Sequence, residues 1–294
     1  LVVAFFCKGG SFVGNNNLVL NRFFTQYVFG DLLKNHKNST YCTIVKRYIN
    51  DEASENNGEL ISKIYKYMSE NYRNEYFYQN TLLNKLLLGR HSLNTTTALT
   101  QITIGNSKAD FVMINGKAVV YEIKTELDSF ERLNTQLADY YKAFNYVCVV
   151  TCEDNYEKLN YILKSTKVGI CILSDKNTLQ FPKKPEAYSD SLSYNAIFKV
   201  LRKREFENIL LEYFKKLPQA TPVFYYDECF KWFSTIPLEK AYAMSLKQLK
   251  KRNQIIREYF NDVPYELKSL MYFYNASDID YLKLNKFLKE KYGG

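Results

Sequence analysis

The sequence is short of the residues from which zinc sites and catalytic histidine sites are built. Among 294 residues there are two histidines, His36 and His91. The six cysteines (Cys7, Cys42, Cys148, Cys152, Cys171 and Cys229) form no C-x-x-C pair, which excludes the common structural zinc patterns. Several of them lie in apolar runs such as VCVV and GICIL, so reduced, buried thiols in a cytoplasmic protein are the expectation. Proline is scarce (6), tryptophan occurs once, and there is no internal repeat or low-complexity tract. No apolar run reaches the length of a membrane span, so no membrane partner is expected. The opening LVVAFFCKGG has no basic stretch before its apolar patch, which argues against a secretory signal. Leu1 stands where a native start would have Met, so the natural N-terminus is expected to be missing or recoded.

Positive charge and aromatic rings are abundant. The formal net charge is +9, from 40 Lys and Arg against 31 Asp and Glu, which suits a polyanionic partner. Aromatics make up 16%, including 26 Tyr, which suits stacking on bases but also the amino-acid bias of an AT-rich genome.

The informative stretch is 109–140, ADFVMINGKAVVYEIKTELDSFERLNTQLADY. Two β-branched, apolar runs, 109–114 and 118–124, are split by Asn115-Gly116, a hairpin signal. Both are apolar on both faces, as in the centre of a covered sheet. Glu122 and Lys124, two apart, share a face. A two-residue turn would pair Asp110 with Tyr121 and send it to the opposite face. A three-residue loop, 114–116 with Gly116 left-handed, pairs Met113 with Lys117 and puts Asp110 opposite Val120, on the face of Glu122. A single polar site requires that register or an equivalent bulge. Two carboxylates held together repel unless a cation lies between them, and such oxygen donors favour magnesium or manganese. Read alone, E-I-K also describes an ordinary strand end with a surface ion pair.

Downstream, Asp128-x-x-Glu131 has the form of a capping box, which predicts a helix from near Ser129. Arg132, Gln136 and Tyr140 recur every four residues on one face, beside an apolar stripe of Leu133 and Leu137. Gln136-Leu137-Ala138-Asp139-Tyr140 following the E-x-K strand resembles the RecB-like branch of the PD-(D/E)XK nuclease superfamily. The fuller string AD-x10-YEIK-x3-D-x3-RL-x2-Q-x3-Y is also similar to a family of small bacterial proteins assigned to that superfamily. The resemblance spans roughly residues 74–151. It implies a restriction-endonuclease-like mixed sheet flanked by helices, with Asp110, Glu122, Lys124, Gln136 and Tyr140 as catalytic residues. It also implies Mg2+ or Mn2+ on Asp110 and Glu122. Many members add an acid from a preceding helix; Glu75 is best placed, with Glu70 and Glu59 as alternatives. The preceding strand has Gln101 where an acid could also serve.

Around this core the periodicity predicts helices over 17–29, 59–72, 74–88 and 153–164, and strands over 98–104, 146–151 and 168–173. Gly89 is the expected stop of the helix before the first strand. The polar stretch 50–58 reads as a loop or linker, and FPKKP (181–185) reads as a chain break. The expected organisation is a helical region 1–72, an α/β core 73–180 and a basic helical region 181–294. The last holds 20 Lys and Arg against 14 Asp and Glu. Candidate nucleic-acid contacts are Arg90 and His91 in the hydroxyl-rich loop 89–97, Arg132, and Lys250, Lys251 and Arg252 in the run KQLKKRNQIIR. The expected function is a cytoplasmic, metal-dependent nuclease acting on DNA, suited to defence against foreign DNA; RNA and self-association stay open. The alternative is a catalytically weak nuclease-fold module that binds nucleic acid or a protein.

Overall fold

The structure is a computed structural model that describes residues 17–49, 55–252, 255 and 257–293. Cys7, the apolar opening and most of the stretch 50–58 lie outside the described residues. The chain divides into two compact units, residues 1–72 with 282–294, and residues 73–281. The boundary before Arg73 coincides with the expected one. The expected third region does not stand apart, because residues 181–281 belong to the same unit as the α/β core.

The first unit is helical: α1 (Leu18–Phe23), α2 (Gln26–Asn35), α3 (Ser39–Tyr48), α4 (Asn57–Asn71) and the end of the C-terminal helix. The single helix expected over 17–29 is broken, because the Thr25 side chain caps α2 by accepting from Val28 N–H. α4 starts where Asn56 and Glu59 form a reciprocal capping box. Phe23 stacks on Tyr41, whose hydroxyl donates to Asn57 Oδ1 at 2.8 Å.

The second unit is mixed α/β. Helix α5 (Glu75–Leu82), capped by Asn74, continues into a π-helical turn, Leu83–Leu88. Six strands follow: β1 (Thr97–Ile104), β2 (Ser107–Asn115), β3 (Lys117–Lys124), β4 (Tyr146–Thr151), β5 (Gly169–Leu173) and β6 (Leu179–Lys183). They lie in sequence order; β1–β2–β3 are antiparallel, β3–β4–β5 parallel, and β6 returns antiparallel. The parallel pairs need crossovers, supplied by α6 (Leu133–Tyr141) and α7 (Tyr156–Leu163). Strand β6 takes in the first three residues of the FPKKP segment expected to break the chain, and it ends before Lys184 and Pro185. Its Pro182 is tolerated because β6 is an edge strand and its pairing with β5 is irregular between Ile170 and Ile172.

The C-terminal helices α8 (Tyr194–Val200), α9 (Lys203–Phe214), α10 (Tyr225–Phe233) and α11 (Leu238–Leu249) share one apolar core with the sheet. Val112, Val120 and Val149 from the strands, Leu133 and Leu137 from α6, and Ile197, Phe206 and Phe233 from these helices are all buried in it. Beyond them come α12 (Arg257–Asn261), α13 (Lys268–Tyr274) and α14 (Asp278–Lys289). Phe273 of α13 meets Phe111 edge-on, and Phe111 in turn meets Tyr121, on the alternate residues of β2 and β3. The central strands are therefore covered on both faces, as their two-sided apolar pattern requires.

Candidate functional site

The β2–β3 register decides whether a site exists. Asn115 faces Lys117 across Gly116 alone, whose φ of +69° is left-handed, and Phe111 faces Tyr121. The connection is thus centred one residue later than the three-residue loop predicted. Asp110 falls level with Glu122, and its parity matches the single-site alternative. The ladder ends at Phe111 and Tyr121. Beyond it the Asp110 carboxylate replaces a main-chain acceptor: Oδ2 accepts from Ile123 N–H at 2.8 Å.

Glu122 and Lys124 are almost fully buried, at 1% and 6% exposure. Gln136 donates from Nε2 to Glu122 Oε1 at 2.6 Å, and the Tyr140 hydroxyl donates to Oε2 at 2.5 Å. Lys124 Nζ donates to Gln136 Oε1 at 2.9 Å and lies 3.1 Å from Glu122 Oε1. The Q-x-x-x-Y spacing achieves this because residues four apart stack on one helix face, which α6 lays along the E-x-K strand. An ammonium has three donors, and these contacts direct two of them, leaving one for a water or an anion.

The electrostatics mark a deficit of positive charge. Burial, then the negative charges of Glu122 and Glu75, push the Asp110 carboxyl well above the usual carboxylate range. Glu75 is exposed on α5, yet partial desolvation by the protein around its carboxylate, then the charges of Asp128 and Glu122, push it up, with Lys108 and Lys124 opposing. Burial and the Glu122 carboxylate hold the Tyr140 phenol protonated, so it acts as a donor.

The helix start departs from the expected capping box. Asp128 Oδ2 accepts from Thr125 N–H at 2.8 Å and from Thr125 Oγ1 at 2.7 Å, closing the turn that leaves β3. Helix α6 begins only at Leu133, with Arg132 preceding it and no side-chain cap. The side chain competes locally for the backbone, as short polar side chains do.

Asp139, inside the Q-x-x-x-Y motif, has a role the motif does not announce. Its carboxylate accepts from Asn106 N–H at 3.1 Å, Ser107 Oγ at 2.8 Å and Lys142 Nζ at 2.7 Å, tying α6 to the β1–β2 turn. Burial raises its pKa, but these bonds outweigh that and hold it low. At Gly105, φ is +60° and a Cβ would stand 2.7 Å from Asp139 Oδ1. Gly105→Ala is therefore expected to destabilise the protein by at least about 1–2 kcal/mol, the cost of a left-handed residue with a Cβ. Urea unfolding with an unchanged midpoint would show that the turn relaxes freely.

The candidate nucleic-acid contacts do not gather here. His91 Nδ1 is 2.9 Å from Asn115 Nδ2, at the β2–β3 turn, about 17 Å along β2 from Asp110. Arg90 sits over Phe181 of β6, the edge strand farthest from β1 in the sheet order. The Lys250 carbonyl accepts from Thr97 Oγ1, placing Lys250 and Lys251 at the same turn end of the sheet. Arg252 is internal: its guanidinium grips Glu205 and the Val200 carbonyl, so it is a structural ion-pair residue and not a free cation. Among the candidates, Arg132 is exposed and one turn ahead of Gln136, close to the site. Sequence reasoning missed Lys108 and Gln79. Lys108 is exposed on β2 and acts electrostatically on Glu75. Gln79 follows Glu75 by four residues on α5, a spacing that could have flagged it.

The donor chemistry suits a hard divalent cation, with Asp110 and Glu122 as the residues that would hold it. Among the described residues no three His, Cys, Asp or Glu side chains form a ready-made ion site, so Glu75 is a neighbour of that pair and not a formed third ligand. In comparison with known proteins, the family model described as Bacteriophage P4 protein cII matches residues 68–271. No curated protein and no solved structure matches the chain.

Proposed function

This chain belongs to the bacteriophage P4 protein cII family, and we propose that its α/β unit is a metal-dependent nuclease that hydrolyses phosphodiester bonds in DNA. The observation that carries this reading is the convergence of Glu122, Lys124, Gln136 and Tyr140 in one hydrogen-bonded set, with Asp110 beside it. A bound Mg2+ or Mn2+ would polarise a phosphoryl oxygen and activate a water. The protein's own part is positional. Gln136 and Tyr140 immobilise the Glu122 carboxylate, so that it meets a cation without reorganising. Asp110 is anchored through Oδ2, which leaves Oδ1 outside the hydrogen bonds of the described residues. Lys124 keeps one donor for a phosphate oxygen or the attacking water, and its compact ammonium stabilises charge developing there. The mechanism is direct attack by water, without a covalent intermediate. Lys108 and Arg132 are exposed cations on the flanks, suited to the phosphate backbone.

A second reading, a catalytically weak module that binds nucleic acid, draws on one observation: both Glu122 oxygens already accept hydrogen bonds, and among the described residues a third acid is not in place. Purified protein incubated with linear, circular and single-stranded DNA, in Mg2+, Mn2+ and EDTA, separates the two. Cleavage dependent on either metal and abolished by EDTA is the expected result. An inert protein that binds DNA with a steep salt dependence would instead establish the weak module.

A further inference from the structure

The proposed cation site leaves the hydroxyl-rich loop 89–97 without a role. That loop forms one wall of a cleft of about 420 Å³ in the second unit. Leu88, Leu93 and Phe260 line it as apolar surface, and His91, Ser92 and Lys268 as polar surface. A volume within about 300–1,000 Å³, an apolar wall and a few polar groups are the features of a site for one small organic group. The loop holds its own shape, because the Ser92 carbonyl accepts from Thr95 N–H at 3.1 Å and from Thr96 N–H at 2.9 Å. Two donors in the cleft are unused among the described residues. Asn115 Nδ2 donates to His91 Nδ1, so the neutral ring carries its proton on Nε2. The Lys268 ammonium donates to the carbonyls of Phe260 at 2.6 Å and Asn261 at 3.0 Å, which leaves its third donor. Burial works against the charge of Lys268, Asp262 acts on it only from a distance, and no carboxylate among the described residues pairs with it. A half-buried cation without a paired counter-charge is suited to an anion. The surroundings are basic as well. Lys117 is the ladder partner of Asn115, and the Lys250 carbonyl, with Lys251 next to it, accepts from Thr97 Oγ1 at the end of the loop.

We propose that this cleft binds one nucleotide of a single-stranded nucleic acid, its phosphate on Lys268 and His91 and its base against Leu88 and Leu93. The phosphate is the anion that Lys268 lacks, and Lys117, Lys250 and Lys251 extend the positive surface that a continuing strand needs. A base in a duplex is stacked and paired, so it cannot enter a cleft of this size without being flipped out. His91 is tied to Asn115, about 17 Å along β2 from Asp110, so the cleft is a second contact, separate from the acids. The inference rests on the nucleic-acid partner of the proposed function and not on its cation.

The test is fluorescence anisotropy of a labelled single-stranded DNA oligonucleotide, and of its duplex, with the full chain in EDTA, so that neither cation nor cleavage enters. Wild type is expected to prefer the single strand. His91→Ala and Lys268→Gln should each weaken single-strand binding by about 10-fold, as loss of a hydrogen bond to a charged group does. Lys268→Gln should also lower the salt slope by about 1. Lys231→Gln, on α10 with its side chain exposed, removes the same charge outside the cleft and should leave binding unchanged. Lys268 also holds the α12 carbonyls, so melting temperatures are measured in parallel; if Lys268→Gln melts lower, His91→Ala, in the exposed loop, decides. Single-strand affinity unchanged in His91→Ala, an equal loss in Lys231→Gln, or duplex bound as tightly as the single strand would each overturn the proposal. Thymidine monophosphate bound as tightly as the oligonucleotide would make the ligand a free nucleotide and overturn the strand. If wild type binds no DNA in EDTA, the cleft assignment falls, and the nuclease reading stands or falls separately, by cleavage in Mn2+.

Discussion

Glu122→Gln should reduce Mg2+- or Mn2+-dependent DNA cleavage by about 10²–10³-fold or more, the scale on which one preorganised electrostatic group acts, while the protein remains folded. The substitution keeps the shape of the side chain and its place between Gln136 and Tyr140 but removes the negative charge a cation requires. Glu122→Ala is the harsher variant: it also leaves Lys124 buried without its counter-charge, so activity and stability fall together. Lys124→Ala should be equally inactive. Lys124→Arg should also be poor, because a planar guanidinium cannot take the place of a compact ammonium held 2.9 Å from Gln136 Oε1. Tyr140→Phe provides the graded case, removing one donor to Glu122 and leaving the ring in its core position. Cleavage by Glu122→Gln at the wild-type rate would place the activity elsewhere or in a contaminant.

Arg252→Ala should destabilise the second unit by about 3–5 kcal/mol, the cost of leaving one partner of a buried ion pair alone. Both Arg252 nitrogens that face Glu205 stand 2.7 Å from its oxygens, a bidentate fork, and the side chains are 8% and 11% exposed. The pair links residues 47 positions apart, the start of α9 and the turn after α11. The single tryptophan, Trp232, packs edge-on against Phe214 in this helical group, so its fluorescence reports the transition in urea. The pH dependence has a definite sign. Burial raises the Glu205 pKa, but the hydrogen bonds and charge of Arg252, with the Arg202 N–H, outweigh that and hold it below its ordinary value. The pair therefore contributes stability that is present above the ordinary glutamate range and is lost as pH falls through the lowered value. Wild type should lose stability below about pH 4 more steeply than Arg252→Ala. Equal urea midpoints for the two proteins would show that the pair contributes nothing to the fold.

Much of the α/β unit is legible because burial repeats at spacings written in the sequence. Runs of apolar and β-branched residues mark β1 to β5 within a residue or two, and Leu133, Leu137 and Tyr140 mark the buried face of α6. Three features are illegible for physical reasons. Asp128 satisfies both a helix-cap pattern and a turn pattern, and its competition with the backbone at Thr125 decided for the turn. FPKKP reads as a breaker because proline removes a donor, a loss that an edge strand absorbs. The basic run around Lys250 reads as a solvent-facing surface until Glu205 claims one member of it.

The sequence alone determined which residues could form a site: two carboxylates and a lysine on neighbouring strands, followed by Gln136 and Tyr140 four apart on a helix. Those relations are short-range, set by a strand period of two and a helix period near four. The tertiary structure decided the rest. The position of Gly116 set the hairpin register that brought Asp110 level with Glu122. The arrival of α5 brought Glu75 and Gln79 to Gln101 and Thr100 of β1. The packing of α8–α11 on the sheet turned Arg252 inward and left the basic loop residues Arg90 and His91 away from the acids. Each of these depends on contacts between residues far apart in the chain, which local periodicity cannot specify.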